Sequence, residues 1–226
     1  MLTCDDITVD GRLEGVTFTV PDGAHLGVVG ASGAGKTTLI SVMTGMLTPD
    51  RGSIERPAGA VGYIPQDPGS SLMPSMPVRD CVLEPVLIAG GGAAASAAAG
   101  RLPELFASLG LDASLLDRRP GELSGGQRQR VAVARALVAR PGLIIADEAF
   151  SALDRATREL LERTLAAAEA TVVLVTHDLP TVRSFCDHVA VLDAGRCVES
   201  GPVELLDDPA HGATRLLADA ARELAP

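Results

Sequence analysis

Lysine is almost absent from this sequence. The 226 residues include 19 basic side chains, and only one of them, Lys36, is a lysine. Because a compact ammonium differs from a planar guanidinium where space around an anion is tight, we expect Lys36 to do what Arg cannot. The 29 acidic residues give a formal net charge of −10. That balance argues against a nucleic-acid-binding protein, which usually carries a basic face.

Aromatic residues and paired cysteines are also scarce. There is no Trp, one Tyr and four Phe, so the core must be built from Ala, Val, Leu and Ile. The four cysteines are widely spaced without a CxxC pair, which excludes a zinc knuckle or a small disulfide framework. Reduced, buried thiols are expected instead, at Cys4, Cys81, Cys186 and Cys197.

Long apolar runs are missing as well. No run reaches about 18 residues, so no membrane-spanning helix is expected. The longest weakly polar stretch, residues 86–100, is interrupted by four glycines, and residues 90–95 within it are predicted to form a flexible surface connection. The first six residues lack the basic start of a secretory signal.

Short apolar runs alternate with helical patterns, which indicates an α/β layer architecture. Strands are predicted at residues 16–20, 26–29, 61–64, 143–146, 171–176, 189–192 and 196–199, and helices at 37–46, 78–89, 102–109, 124–140, 154–168 and 214–224. Residues 68–122 are Pro-rich, then helical, without buried strands. We expect one domain with a core of residues 1–67 and 123–226 and an inserted helical subdomain at 68–122.

The strongest local signal lies between a predicted strand and a predicted helix. It matches the GxxxxGK[ST] pattern, in which glycines fold the backbone around a phosphate chain and the following helix adds its positive end. Lys36 would reach the β- and γ-phosphates, and Thr37 would bind Mg²⁺. The predicted nucleotide-binding residues are Gly30, Ala31, Ser32, Gly33, Ala34, Gly35, Lys36, Thr37 and Thr38.

Two acids follow the apolar run at 143–146. Asp147, at the end of that strand, would face Mg²⁺ directly or through water. Glu148 is placed to polarise an attacking water. Alone, two acids after a strand are a common solvated strand end, and the phosphate loop favours the catalytic interpretation.

A second Gly-rich turn opens the helix predicted at 124–140. It reads Leu123-Ser124-Gly125-Gly126-Gln127 and is followed by Arg128, Gln129 and Arg130. Ser124 is a good N-cap, and the two glycines permit close backbone approach. By itself this is a capped helix start.

With these parts in this order, the sequence resembles the nucleotide-binding subunit of an ABC transporter over residues 2–217. Gln66, after the strand at 61–64, matches the family's Q-loop, and Leu123 to Gln127 match its signature sequence. Ser151 to Asp154 match the D-loop, and His177 matches the switch histidine. The resemblance implies a P-loop NTPase fold of the ABC-ATPase type, with a RecA-like core sheet, an N-terminal antiparallel β subdomain and an inserted helical subdomain.

The resemblance also implies a mechanism, with ATP and Mg²⁺ as ligands. Two subunits close head-to-tail over two ATP molecules, and the Ser124–Gly126 turn of one completes the γ-phosphate site of the other. Gln66 senses Mg²⁺ and water, and Asp154 links the two sites. His177 helps Glu148 to position the water. The expected partners are transmembrane permease subunits, a second ATPase chain (a different chain slightly favoured over a second copy) and, indirectly, a substrate-binding protein. No nucleic acid is expected, and the chain is placed at the cytoplasmic face of the membrane.

Within the family, residues 66–74 and 211–217 are similar to the ATPases of dipeptide, oligopeptide and nickel importers. The alternative is an accessory ATPase of a soluble complex such as carbon–phosphorus lyase. The sequence departs from the family where adenine usually stacks on an aromatic, since residues 2–15 contain none. Weak ATP affinity or little preference over GTP is therefore expected. Ala149 and Phe150 replace the family's Pro and Thr, and Phe150 is expected at the dimer seam.

Overall fold

The computed structural model describes residues 1–150 and 153–223. These fall into two compact units: residues 1–58 with 171 onward, and residues 59–170. The predicted core and helical subdomain divide the chain at other positions and remain predictions. Part of the expected D-loop, Ser151 and Ala152, and the last predicted helical residue, Leu224, lie outside the described residues.

The first unit begins with a three-stranded antiparallel sheet in the order β2-β1-β4. The strands are β1 (Leu2–Val9), β2 (Leu13–Val20) and β4 (Arg51–Glu55). On β2 the buried residues alternate with exposed ones, as expected of a sheet with one face covered. The pattern on β1 is broken by register shifts between Cys4 and Ile7 and between Ile7 and Val9. This sheet forms the expected N-terminal antiparallel part.

Four further strands of the same unit form the order β7-β3-β8-β9. They are β3 (His25–Gly30), β7 (Thr171–Val175), β8 (His188–Asp193) and β9 (Arg196–Pro202). β3 pairs in parallel with β7 and β8, and β8 pairs antiparallel with β9. β7 is buried at every position, which explains its continuous apolar sequence.

Three helices belong to this unit: α1 (Lys36–Thr44), α6 (Leu179–Phe185) and α7 (Gly212–Glu223). α6 lies so close to β3 that a Cβ on Gly27 would fall 2.5 Å from Cγ1 of Val182. α1 ends at Gly45, whose left-handed backbone closes the last turn.

The second unit contains two parallel strands, β5 (Val61–Ile64) and β6 (Leu143–Asp147). Its helices are α2 (Val78–Ala99), α3 (Leu102–Ser108), α4 (Gly125–Leu137) and α5 (Arg155–Ala166). Short 3₁₀ turns at Pro68–Ser71, Ala113–Asp117 and Pro120–Glu122 join them. The buried side of α4 consists mainly of Val and Ala, in keeping with the scarcity of aromatics.

The prediction of a flexible connection at residues 90–95 is wrong. These residues belong to α2, which departs from helical angles only at Gly91 (φ 71°, ψ −173°). Alanine is the strongest helix former, and the alanines on both sides favour a helix that continues through the glycines with a kink at Gly91.

Among the described residues, α2 is also the one helix long and apolar enough to cross a membrane, by length and composition only. The sequence predicted no such helix because no uninterrupted apolar run is long enough. The Ala residues of α2 nevertheless raise its mean hydropathy. Glu84 of this helix forms a 2.7 Å ion pair with Arg135 of α4, so α2 makes a polar contact within its own unit.

The four cysteines are free thiols, as expected. Cys4, Cys81 and Cys186 are buried, and Cys197 is half-buried. Burial raises the pKa of the Cys4 thiol to about 12, against a smaller opposing effect of the Arg56 charge. The Cys4 thiol is therefore a poor nucleophile near neutral pH.

Candidate functional site

The predicted phosphate loop connects β3 to α1. Its backbone is left-handed at Gly33 (φ 80°) and at Gly35 (φ 104°), which glycine adopts at little cost. Gly35 also lacks space for a side chain, because a Cβ there would lie 2.6 Å from Cδ2 of Leu13. Both the conformation and the packing therefore require glycine at position 35.

Lys36 lies across this loop. Its Nζ donates hydrogen bonds to the carbonyl oxygens of Gly30 at 2.7 Å and Ala31 at 2.9 Å. The ammonium is thus held within the predicted phosphate loop. Ala31, Ser32 and Thr37 are exposed, and Thr38 is half-buried. Ala34 is buried instead, and it anchors the loop.

His177 lies at the same edge of the first unit as the phosphate loop. His177 follows β7, and the phosphate loop follows β3. These two strands are parallel neighbours, in which Val28 of β3 pairs with Val175 of β7. The amide of Thr176 extends this pairing by donating to the carbonyl of Val28 at 3.2 Å. Carboxyl ends of neighbouring parallel strands are the usual place for ligand-binding groups in α/β sheets. His177 is exposed there.

The acid pair and Gln66 share an edge of the second unit. Gln66 lies two residues after the end of β5, and Asp147 is the last residue of β6. The two strands pair in parallel, with Ile64 opposite Ala146. The hydroxyl of Tyr63 donates to Oδ2 of Asp147 at 3.4 Å. Burial first, and then the charge and hydrogen bond of Asp147, raise the pKa of Tyr63. Tyr63 therefore stays a donor that orients the carboxylate, a role sequence reasoning did not assign to it.

Glu148 has a left-handed backbone, with φ at 49°. Such a conformation is uncommon outside glycine and costs about 1 kcal/mol, so it persists where the surroundings impose it. The next two residues are buried, Ala149 at 2 % exposure and Phe150 at 4 %. Because so little of the Phe150 side chain is exposed, the expectation that it packs at a dimer seam is not supported.

The second Gly-rich turn opens α4 with a capping box. The amide of Gln127 donates to Oγ of Ser124 at 3.2 Å, and the amide of Ser124 donates to Oε1 of Gln127 at 2.9 Å. Leu123 is buried, whereas Ser124, Gly125 and Gly126 are exposed. The turn is therefore fixed from within its own chain while it presents its hydroxyl and glycines outward.

Asp154 caps α5. Its carboxylate accepts from the backbone amide of Thr157 at 3.0 Å and from the Thr157 hydroxyl at 2.8 Å. These hydrogen bonds lower the pKa of Asp154. The carboxylate thus has a structural role in its own chain, beside the predicted role at the dimer interface.

Three side chains offer oxygen ligands of the kinds that Mg²⁺ prefers: the hydroxyl of Thr37 in the first unit, and the amide of Gln66 and the carboxylate of Asp147 in the second. In the described part of the chain no group of three or more His, Cys, Asp or Glu could hold a metal by itself.

Comparison with known proteins identifies related sequences. The ABC transporter family matches residues 13–151. The methionine import ATP-binding protein of Burkholderia ambifaria is 40 % identical over 95 % of the chain and 67 % of its own length. The Fe(3+) ions import ATP-binding protein of Pseudomonas fluorescens is 40 % identical over 90 % and 61 %. The probable D,D-dipeptide transport ATP-binding protein of Escherichia coli is 38 % identical over 92 % and 69 %.

Solved structures match as well. The ATP-binding subunit of an ABC transporter matches with a TM-score of 0.81 and 26 % identity, covering 98 % of this chain and 99 % of that one. A dimeric ATP-binding cassette in a post-hydrolysis state with ADP and Pi matches at 0.75 and 25 % identity, covering 90 % and 99 %.

Fold and sequence together define an ATP-binding ATPase of the P-loop class. The chain belongs to the ABC transporter family and has the ABC-ATPase fold expected from its sequence. It spans about two thirds of the length of the curated relatives it matches, from 61 % to 69 % in the three named above.

Proposed function

We propose that this chain is the ATP-hydrolysing subunit of a membrane importer. The loop that holds Lys36 against the carbonyls of Gly30 and Ala31 carries the proposal, because it is built for a phosphate chain. The three named relatives are import or transport ATP-binding proteins, which supports import. The partners are then permease subunits, and the place of action is the cytoplasmic face of the membrane.

The catalytic roles follow from the chemistry of the side chains. Lys36 and the amides of residues 31–38 bind the phosphates, and Glu148 accepts a proton from the attacking water. His177 and Gln66 orient that water. Thr37, Asp147 and Gln66 would supply oxygen ligands to Mg²⁺, and the ion would neutralise phosphate charge. Ser124, Gly125 and Gly126 act on the nucleotide of a partner ATPase, with Leu123 and Gln127 fixing the turn, and Asp154 links the two sites.

The cargo is a small peptide or a nickel or other metal complex. The resemblance of residues 66–74 and 211–217 to peptide and nickel importers supports this, as does the D,D-dipeptide relative. Uptake of a dipeptide, Ni²⁺, methionine and Fe³⁺ into vesicles with the cognate permease tests it. Uptake of methionine without uptake of the dipeptide or of either metal would contradict it. Co-purification with soluble enzyme subunits instead of membrane proteins would favour the carbon–phosphorus lyase alternative.

Glu148→Gln tests the hydrolytic role. The variant should bind ATP but lose turnover at least about 100-fold, since the amide cannot take the proton. Its mass in solution with and without MgATP, measured by light scattering, reports the partner. A shift from monomer to dimer indicates a second copy, and a monomer with bound ATP indicates a different ATPase chain. Wild-type turnover would refute the role of Glu148.

A further inference from the structure

One polar side chain is buried in α4 among apolar ones. Gln129 is 7 % exposed, and its helical neighbours on the buried side are Val and Ala. An amide removed from water without a partner costs several kcal/mol, so such groups are retained only when bonded. Nε2 of Gln129 donates to the carbonyl oxygen of Ala149 at 3.0 Å, and this bond is itself buried.

The acceptor is the residue directly after Glu148. The Glu148 backbone has the left-handed φ of 49°, which costs a non-glycine residue about 1 kcal/mol. Two contacts hold the segment after Glu148. The methyl group of Ala149 is buried, and Gln129 donates a directional hydrogen bond to the carbonyl of the Ala149–Phe150 peptide. Packing alone can tolerate rotation of a peptide plane, whereas a buried hydrogen bond fixes its orientation.

The donor lies in the helix that begins at the second Gly-rich turn. Ser124 and Gln129 are five residues apart, about 7.5 Å along a helix. The capping box of Ser124 and Gln127 fixes the start of this helix. A displacement of the turn is therefore transmitted along about 1.4 helical turns to the Gln129 amide, and from there to the Ala149–Phe150 peptide, one peptide beyond Glu148.

We propose that Gln129 is a positioning residue that sets the backbone of Glu148 and couples it to the Ser124–Gly126 turn. The proposal rests on the proposed catalytic role of Glu148. Through this bond, contact of the turn with a partner's nucleotide changes the aim of the carboxylate that serves the chain's own nucleotide. Gln129 itself touches no nucleotide in this mechanism, so ATP binding does not depend on it.

Gln129→Met tests this role, because Met has similar length and fills the same space but has no N–H. Small misplacements of a catalytic group lower the rate of the chemical step more than ground-state binding. We expect kcat for ATP hydrolysis to fall about tenfold, with KM for ATP unchanged within about twofold. The assay uses the chain together with its partner ATPase chain if hydrolysis requires one.

Arg101→Met is the matched control. It also removes a side-chain donor to a backbone carbonyl of the α4 segment, Nη2 to Val138 at 3.3 Å, but at the other end of that helix. It should retain the wild-type kcat. In the Glu148→Gln background, Gln129→Met should not lower the residual rate further, since both changes act through the same carboxylate.

The outcomes separate the two proposals. Wild-type turnover of Glu148→Gln refutes the proposed catalytic role, whatever Gln129 does. An inactive Glu148→Gln with wild-type kcat in Gln129→Met refutes the positioning role alone. A loss of ATP affinity parallel to the loss of kcat assigns Gln129 a structural role and also refutes it. Gln129→Asn, whose amide is one methylene too short, is the second variant should the Met variant not fold, and it should lower kcat in the same way.

Discussion

The chain contains two Gly-rich turns that each open a helix, and they need their glycines for different reasons. In the phosphate loop, Gly35 has a left-handed backbone and a Cβ would strike Leu13. In the turn at Ser124, neither Gly125 nor Gly126 has a positive φ, and a Cβ on either would meet nothing within 4 Å. The first loop needs glycine for its own fold. The second does not, so its glycines suit close approach by something outside the chain.

The hydrogen bonds at the two helix starts also differ. The phosphate loop has no side-chain cap at α1, and its Lys36 turns inward onto its own carbonyls. The turn at Ser124 is closed by a reciprocal capping box and exposes its glycines. The proposed site for the chain's own nucleotide and the proposed surface for a second molecule thus differ in what their glycines contact.

The largest expected effect on the isolated chain is that of Lys36→Ala. Loss of the ammonium removes charge-assisted bonds to phosphates, so ATP affinity should fall about 100-fold or more, about 2.7 kcal/mol. Equilibrium binding of a fluorescent ATP analogue measures it. Lys36→Arg keeps the charge and should also bind poorly, because a guanidinium does not fit the loop. Wild-type affinity in the Arg variant would contradict the argument from the single lysine.

Gly35→Ala should destabilise the chain by about 2–3 kcal/mol, from backbone strain and the clash with Leu13 together. Chemical denaturation measures the free energy of unfolding. Gly33→Ala is the matched variant, because its φ is 80° but a Cβ there meets nothing within 4 Å. It should show only the strain, about 1 kcal/mol. Equal losses in the two variants would show that packing against Leu13 does not matter.

Gly126→Ala should have the smallest effect on the isolated chain and the opposite sign. Ala is the better helix former, so stability should rise by a few tenths of a kcal/mol. ATP binding by the monomer should not change, whereas ATP turnover by the assembled dimer should fall. Gly121→Ala, also in open space, should leave turnover unchanged. A stable Gly126→Ala variant with full turnover would remove the distinction between the two turns.

Much of this fold can be predicted from sequence because buried parallel strands are continuous apolar runs, as at β6 and β7. β4 could not be predicted in this way, since its sequence Arg51–Glu55 carries charge at both ends and is largely exposed. β1 contains Asp5 and Asp6 between its buried residues, where register shifts break the alternation. Strands of this kind can be identified from the strands that they pair with in the fold, but not from their own hydrophobic pattern.

The candidate site also contains residues that could be predicted from the sequence and residues that could not. The phosphate loop, Asp147 and Glu148 could be found because their chemistry depends on fixed local spacing. Tyr63 and Gln129 could not, because each acts through a contact more than ten residues away, with Asp147 and with Ala149. Gln129 lies on the same helical face as the buried Val133, but only the fold shows that its amide is bonded to Ala149.

The position of Lys36 gives the chain an unusual property as a protease substrate. A lysine-specific endoprotease can cut 226 residues only after residue 36, in the first turn of α1, where the side chain is bonded to two carbonyls. Cleavage there requires the loop to open, so the rate of appearance of two fragments reports the opening of the nucleotide site. A bound nucleotide should slow it, and the gel becomes a direct readout of occupancy without any label.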